Sequence, residues 1–147
     1  MVKLTELIEE LKRQFPFILS MPKGTHKAQA HFVDFETLDR IEVKTCSTAV
    51  ELSKDVLSRG IAEKVDLFVT HHDLFSSYSN QMIHGVRRQM IRALQSHGIV
   101  VYVLEDSILG AENGLSEALA SELGLIENII KNFSLENNPM GRIAQLP

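Results

Sequence analysis

The chain has 147 residues, 44% of them hydrophobic, enough for one domain with its own core. A formal net charge of −4 gives no field that draws nucleic acid or anionic lipid, so such a partner would need a local basic patch. The longest apolar run, residues 99–104, is far short of the roughly 20 a membrane helix needs, and Cys46 has no second cysteine to pair with. With no signal peptide at the N-terminus, these features predict a cytoplasmic globular protein.

Residues 3–15 carry Leu4, Leu7, Ile8, Leu11 and Phe15 three and four apart, which predicts an amphipathic helix stopped by Pro16. Residues 21–34 show no period and read as a loop with a short extended piece at 28–33. Residues 39–45 alternate Ile41, Val43 and Thr45 with polar neighbours, the pattern of a half-buried strand. Ser47 and Thr48 then open a second helix, with Thr48 and Glu51 at capping-box spacing, Val50, Leu52, Val56 and Leu57 inside, and Gly60 as its stop. Residues 65–70 form a buried strand ending at His71 and His72. A polar loop at 76–80 leads into a helix over 84–96, with Val86, Met90, Ile91 and Leu94 inward and Gly98 beyond its end. Residues 99–104 are the strongest strand, 105–113 a loop, 115–123 a helix closed by Gly124, and 126–133 a further strand. Strand and helix alternate after residue 38, so the fold class is α/β: a mixed, mainly parallel sheet of βαβ units with flanking helices. With no linker or repeat, residues 1–147 read as a single domain.

Ligands of an open α/β sheet bind beyond the carboxyl ends of its strands. Two loops leave such ends here, Thr70-His71-His72-Asp73 and Glu105-Asp106-Ser107. Imidazole and carboxylate together are a ligand set for zinc, manganese or iron, although from spacing alone paired histidines at a strand end are more often ordinary surface polar residues. His26 and His31 read as ordinary loop residues, and His84 and His97 flank one helix, where the C-terminal dipole favours a cation at His97. Arg87, Arg88 and Arg92 read as a solvated helix face, and Cys46 as a small buried or half-buried residue rather than a nucleophile. Met82, Met90 and the phenylalanines read as core. Residues 110–114 match neither the dinucleotide nor the P-loop pattern.

The segment Asp66-Leu67-Phe68-Val69-Thr70-His71-His72-Asp73-Leu74-Phe75 resembles the D-L-I-I-T-H-H-P-L-F motif of the Nif-three-like proteins, the family of GTP cyclohydrolase I type 2. The opening helix, the elements over 41–60 and 91–102, the G-L-S-E-A-L-A-S-E-L-G-L run at 114–125 and the closing Met140-Gly141-Arg142-Ile143-Ala144-Gln145-Leu146-Pro147 are similar to that family in the same order. The resemblance implies a metal-binding α/β protein with a two-metal site facing the inside of a hexameric ring. His71 and His72 match the paired histidine ligands, which implies a divalent metal cofactor (zinc, manganese or iron) and a metal-dependent hydrolase with a nucleotide substrate.

The family's second metal loop reads Y-x-x-H-T-x-L-D, and here Glu105 stands at its His position and Leu109 at its ligand Asp. Glu105 is then the candidate third ligand, and Glu105 and Asp106 the candidate catalytic carboxylates. Asp73 replaces the usual proline, the W-D-N-x-G-L-Q segment has no match, and the remaining His and Glu ligands lie past the closing motif. The expectation is therefore the first part of the family fold, its second half absent. Three readings follow: a hydrolase; a degenerate non-catalytic module that oligomerises or binds a partner; and a half-protein that pairs with a separately encoded second half.

Overall fold

The computed structural model describes residues 1–15, 35–72, 85–135 and 138–146. Its described residues divide into two compact units, one of residues 1–9 and 35–104 and another of residues 10–15 and 105–146. The loop expected at 21–34, the polar loop at 76–80, and His26, His31, Asp73, Met82 and His84 lie outside the described residues.

The first unit is built on a parallel sheet in the order β3 (Cys46–Ala49), β4 (Leu67–Thr70), β5 (Val100–Val103). Register runs Cys46 to Leu67 to Val100 at one end and Ala49 to Thr70 to Val103 at the other. As the central strand, β4 is buried along its whole length, hence its run of apolar residues without alternation. Helices α2 (Lys54–Ala62) and α3 (Val86–His97) lie in the chain between successive strands. They pack on one face of the sheet, where Leu57, Met90 and Leu94 meet Phe68 and Val101. A two-residue antiparallel pair, β1 (Val2–Lys3) with β2 (Glu42–Val43), stands beside α1 (Leu4–Gln14), whose Leu4 and Ile8 are buried. The mixed α/β class expected from the sequence is the architecture found.

Several boundaries differ from those the sequence predicts. The strand expected over 39–45 is only β2; a 3-10 turn at Phe35–Arg40 precedes it. The chain then turns, because an Asp66 carboxylate oxygen accepts the Lys44 and Thr45 N–H groups at 2.7 and 2.9 Å. Residues 46–49 pair with β4 instead of opening a helix, and Val50 is exposed rather than inside. Helix α2 starts later, with Ser53 as its cap, the hydroxyl accepting from the Val56 N–H at 3.2 Å.

Gly60 does not stop α2 but lies inside it, where a methyl group would overlap the Phe68 ring. The stop is a Schellman pair further on: Lys64 N–H donates to the Ile61 carbonyl and Val65 N–H to that of Gly60. The same pair of bonds closes α3 at Gly98 and α5 (Leu115–Glu122) at Gly124, both in the left-handed region as expected. In α2 the left-handed position is held by Lys64, at φ 58°. A side chain there is strained, so Lys64→Gly is expected to stabilise the protein by about 1 kcal/mol, raising the melting temperature by roughly 3 °C. A calorimetric scan that shows no rise would contradict this.

Helix α3 begins at Val86, which is 53% exposed and not on the inner face as its spacing suggested. In the second unit the loop expected over 105–113 contains a helical turn, α4 (Ser107–Gly110). The strand expected over 126–133 starts late, at Ile129, after a 3-10 turn at Ile126–Asn128. It is β6 (Ile129–Leu135), paired antiparallel with β7 (Asn138–Ala144), a strand whose Pro139 and Gly141 mask its pattern. No helix among the described residues is long and apolar enough to cross a membrane.

Candidate metal centre

Strand β4 places the two histidines. Its hydrogen-bonding to β3 continues past the last strand residue: His71 N–H donates to the Ala49 carbonyl at 3.2 Å and His72 N–H to that of Val50 at 2.9 Å. The Thr70 hydroxyl, buried at the strand end, donates to the His72 carbonyl at 3.0 Å. Backbone that would otherwise be a free loop is thereby fixed at three points, and the two imidazoles are held edge to face with centroids 4.3 Å apart. His71 is half-buried and His72 exposed, so the pair is supported from one side and open on another.

The two Nδ1 atoms lie 3.1 Å apart. Without a cation, one ring must carry its proton on Nδ1 and the other must accept it. A cation held by both nitrogens would take the place of that proton. Zinc–nitrogen bonds of about 2.0–2.1 Å put two ligands about 2.9 Å apart at a right angle and about 3.4 Å apart at the tetrahedral angle. The observed separation falls within that span, so the pair fits two positions of one divalent ion.

Strands β4 and β5 end side by side, with the Leu104 N–H donating to the Thr70 carbonyl at 2.8 Å. The chain continues from one strand end into His71 and His72 and from the other into Glu105 and Asp106. The histidines belong to the first unit and the two acids open the second. Glu105 adopts φ 45°, a left-handed conformation costly for a residue with a side chain. Asp106 sits at the start of α4, and Leu109, at the family's aspartate position, is half-buried on that turn. Among the described residues no group of three His, Cys, Asp or Glu side chains forms that could hold a metal ion.

Other sequence candidates fall away from this chemistry. Cys46 is exposed, not buried, because β3 is an outer strand of the three-stranded sheet and its alternate residues face outward. Arg88 and Arg92 occupy a solvated face as expected, whereas Arg87 is half-buried. His97 is exposed at the end of α3. No motif in the sequence links the runs G-L-S-E-A-L-A and G-R-I. The second unit joins them through an ion pair of Glu117 with Arg142 at 2.8 Å. The signal was there, a lone acid and a lone base in two otherwise small or apolar segments.

Comparison with known proteins follows the same lines. Residues 37–147 match the family model of Duf34/NIF3 (NGG1p interacting factor 3). A GTP cyclohydrolase 1 type 2 homolog of Methanocaldococcus jannaschii is 31% identical over 109 residues, covering 74% of this chain and 42% of that protein. Another, from Ureaplasma parvum, is 22% identical over 147 residues, covering 99% of this chain and 52% of that one. Among solved structures, reduced HcgD from Methanocaldococcus jannaschii superposes with a TM-score of 0.77 at 25% identity, covering 97% of this chain and 54% of that one. The chain thus spans about half the length of the curated relatives it matches.

Proposed function

The chain belongs to the Duf34/NIF3 family, and on that premise we propose that it is a divalent-metal-binding protein whose ion is held by His71 and His72. The observation that carries this reading is the 3.1 Å approach of the two Nδ1 atoms at the end of the central strand. Zinc, manganese and iron all accept such donors. When bound, a divalent ion lowers the pKa of coordinated water toward neutrality, which is the chemistry a hydrolase of the GTP-cyclohydrolase type requires.

In this reading the residues of the chain do the following. Thr70 and the continued strand bonds hold the backbone of His71 and His72 in place, which limits the reorganisation needed on binding. Glu105 is the candidate third ligand, and Glu105 and Asp106 are the carboxylates that take a proton from water and return it to the leaving group. The substrate class is a purine nucleotide, the assembly a homo-oligomer, six copies in the family's ring, and the location cytoplasmic. A second reading, a non-catalytic oligomerising or partner-binding module, is favoured by one residue: Leu109 offers no donor where the family carries an aspartate.

Reconstitution with zinc, manganese or iron followed by elemental analysis tests the site. About one equivalent per chain is expected, falling below about a tenth in His71→Ala/His72→Ala. Retention of metal by that double variant would show that the ion is held elsewhere. Turnover of GTP that stops with a chelator favours the hydrolase; stoichiometric metal with no turnover favours the module. Light scattering on the same sample reads the assembly.

A further inference from the structure

We propose that the Thr70 hydroxyl is a positioning group for the metal site: it holds His72 so that both imidazoles can meet one ion. The role rests on the reading of His71 and His72 as metal ligands. Among the described residues only Thr70 and Ser107 are both polar and buried, and Thr70 is 1% exposed. It ends β4, whose other members are Leu67, Phe68 and Val69. Valine has the same shape and would suit a buried central strand without the cost of burying a hydroxyl. The hydroxyl is used in a bond that leaves the strand, to the His72 carbonyl at 3.0 Å.

Strand stability does not require that bond. His72 is exposed, so water can serve its carbonyl once the hydroxyl is gone, and exchanging one partner for the other leaves little net change. Placement does require it. Thr70 is itself fixed on both sides, as the register partner of Ala49 and of Val103, and its carbonyl accepts the Leu104 N–H at 2.8 Å. The hydroxyl carries that fixed position across His71 to His72. His72 N–H is bonded to the Val50 carbonyl at 2.9 Å, so the Thr70 bond completes the hold on both polar groups of the His72 backbone. The ring contact and the 3.1 Å spacing of the Nδ1 atoms stand on that backbone. With the carbonyl released, a shift of about 1 Å opens the nitrogens past the roughly 3.4 Å that one tetrahedral zinc ion spans. Groups that hold a ligand from behind typically change metal affinity by about 10–100-fold.

Zinc titrated calorimetrically into the whole chain, with Thr70→Val and Thr70→Ser beside it, separates placement from packing. Thr70→Val is expected to bind zinc about tenfold or more weakly, while the melting temperature of the metal-free protein stays within about 2 °C of the unaltered chain. Thr70→Ser keeps the donor and loses the methyl group, and it is expected to bind zinc within about threefold of the unaltered chain. Zinc binding by Thr70→Val as tight as that of the unaltered chain would overturn the proposal. So would an equal loss of affinity in Thr70→Ser, which would trace the effect to the methyl group. A loss in Thr70→Val matched by a collapse of the melting temperature would also overturn it, by making Thr70 a structural residue alone. If the unaltered chain binds no zinc, or His71→Ala/His72→Ala binds it as tightly, the ligand reading itself fails and this role fails with it.

Discussion

Gly60→Ala is expected to destabilise the protein by about 2 kcal/mol, although alanine is the better helix former by about 1 kcal/mol. The two effects oppose each other, and packing decides the sign. A Cβ at residue 60 would stand 2.9 Å from Cε2 and 3.3 Å from Cε1 of Phe68, and closer still to Cζ. Phe68 is 1% exposed, wedged among Leu57, Met90, Leu94 and Val101, so its ring has no free space to move into. Forcing a methyl into such a core costs up to about 3 kcal/mol, which exceeds the gain in helix propensity. The melting temperature should fall by roughly 6 °C. The check is a double-mutant cycle with Phe68→Leu, which shortens the side chain where the methyl would go. The double variant is expected to be more stable than the two single losses predict, with a coupling of about 1–2 kcal/mol. A melting temperature that rises in Gly60→Ala would mean that helix and sheet do not approach this closely.

The same glycine shows what the sequence made legible and what it did not. From the chain alone Gly60 reads as a helix stop, because a glycine after an apolar period usually is one. Its actual reason, the ring of Phe68, lies on a strand in another part of the sequence. Strand β3 was missed for a related cause. Cys46, Ser47, Thr48 and Ala49 have little apolar content, and Thr48 with Glu51 imitates a capping box, so only pairing with Leu67–Thr70 defines them as strand. By contrast α1, α3, β4 and β5 are legible in kind, since each buries a local pattern: Leu4 with Ile8, Met90 with Leu94, and the unbroken apolar runs of β4 and β5. For the site, the sequence placed His71 and His72 at a strand end. It did not show that the His71 and His72 N–H groups would bond to Ala49 and Val50, because those bonds depend on a strand with no apolar pattern of its own.

In the second unit, removing the Arg142 guanidinium is expected to cost about 2–3 kcal/mol, since it breaks several charge-assisted hydrogen bonds and leaves the half-buried Glu117 carboxylate without its partner. The Arg142 side chain is 6% exposed and all three nitrogens donate. Nε and Nη2 both bond Glu117 Oε1, at 2.9 and 2.8 Å, and Nη1 bonds the Gly141 carbonyl. Nη2 also reaches the carbonyls of Gly110 and Ala111 at the end of α4, the latter shared with the Gly114 N–H. One side chain thus ties α4, α5 and β7 together. Arg142→Met should therefore melt the second unit early, and Arg142→Lys should recover only part of the loss, since a point charge replaces a planar fork. The carboxyl of Glu117 is held below the usual range, first by the Asn113 N–H at 2.7 Å and then by Arg142. A depressed folded-state pKa gives stability that is fully present above the ordinary carboxylate value and disappears as pH falls through the lowered one. The second unit should then lose stability on acidification below about pH 4.5, while Glu117→Gln should be less stable at neutral pH but flatter through that window. Arg142→Met should keep part of the acid dependence, because the Asn113 bond, the larger cause, survives it. Melting curves of the three proteins between pH 3 and pH 7, read by hydrogen exchange of the α5 and β7 amides, decide this, and identical acid profiles for the unaltered chain and Glu117→Gln would refute it.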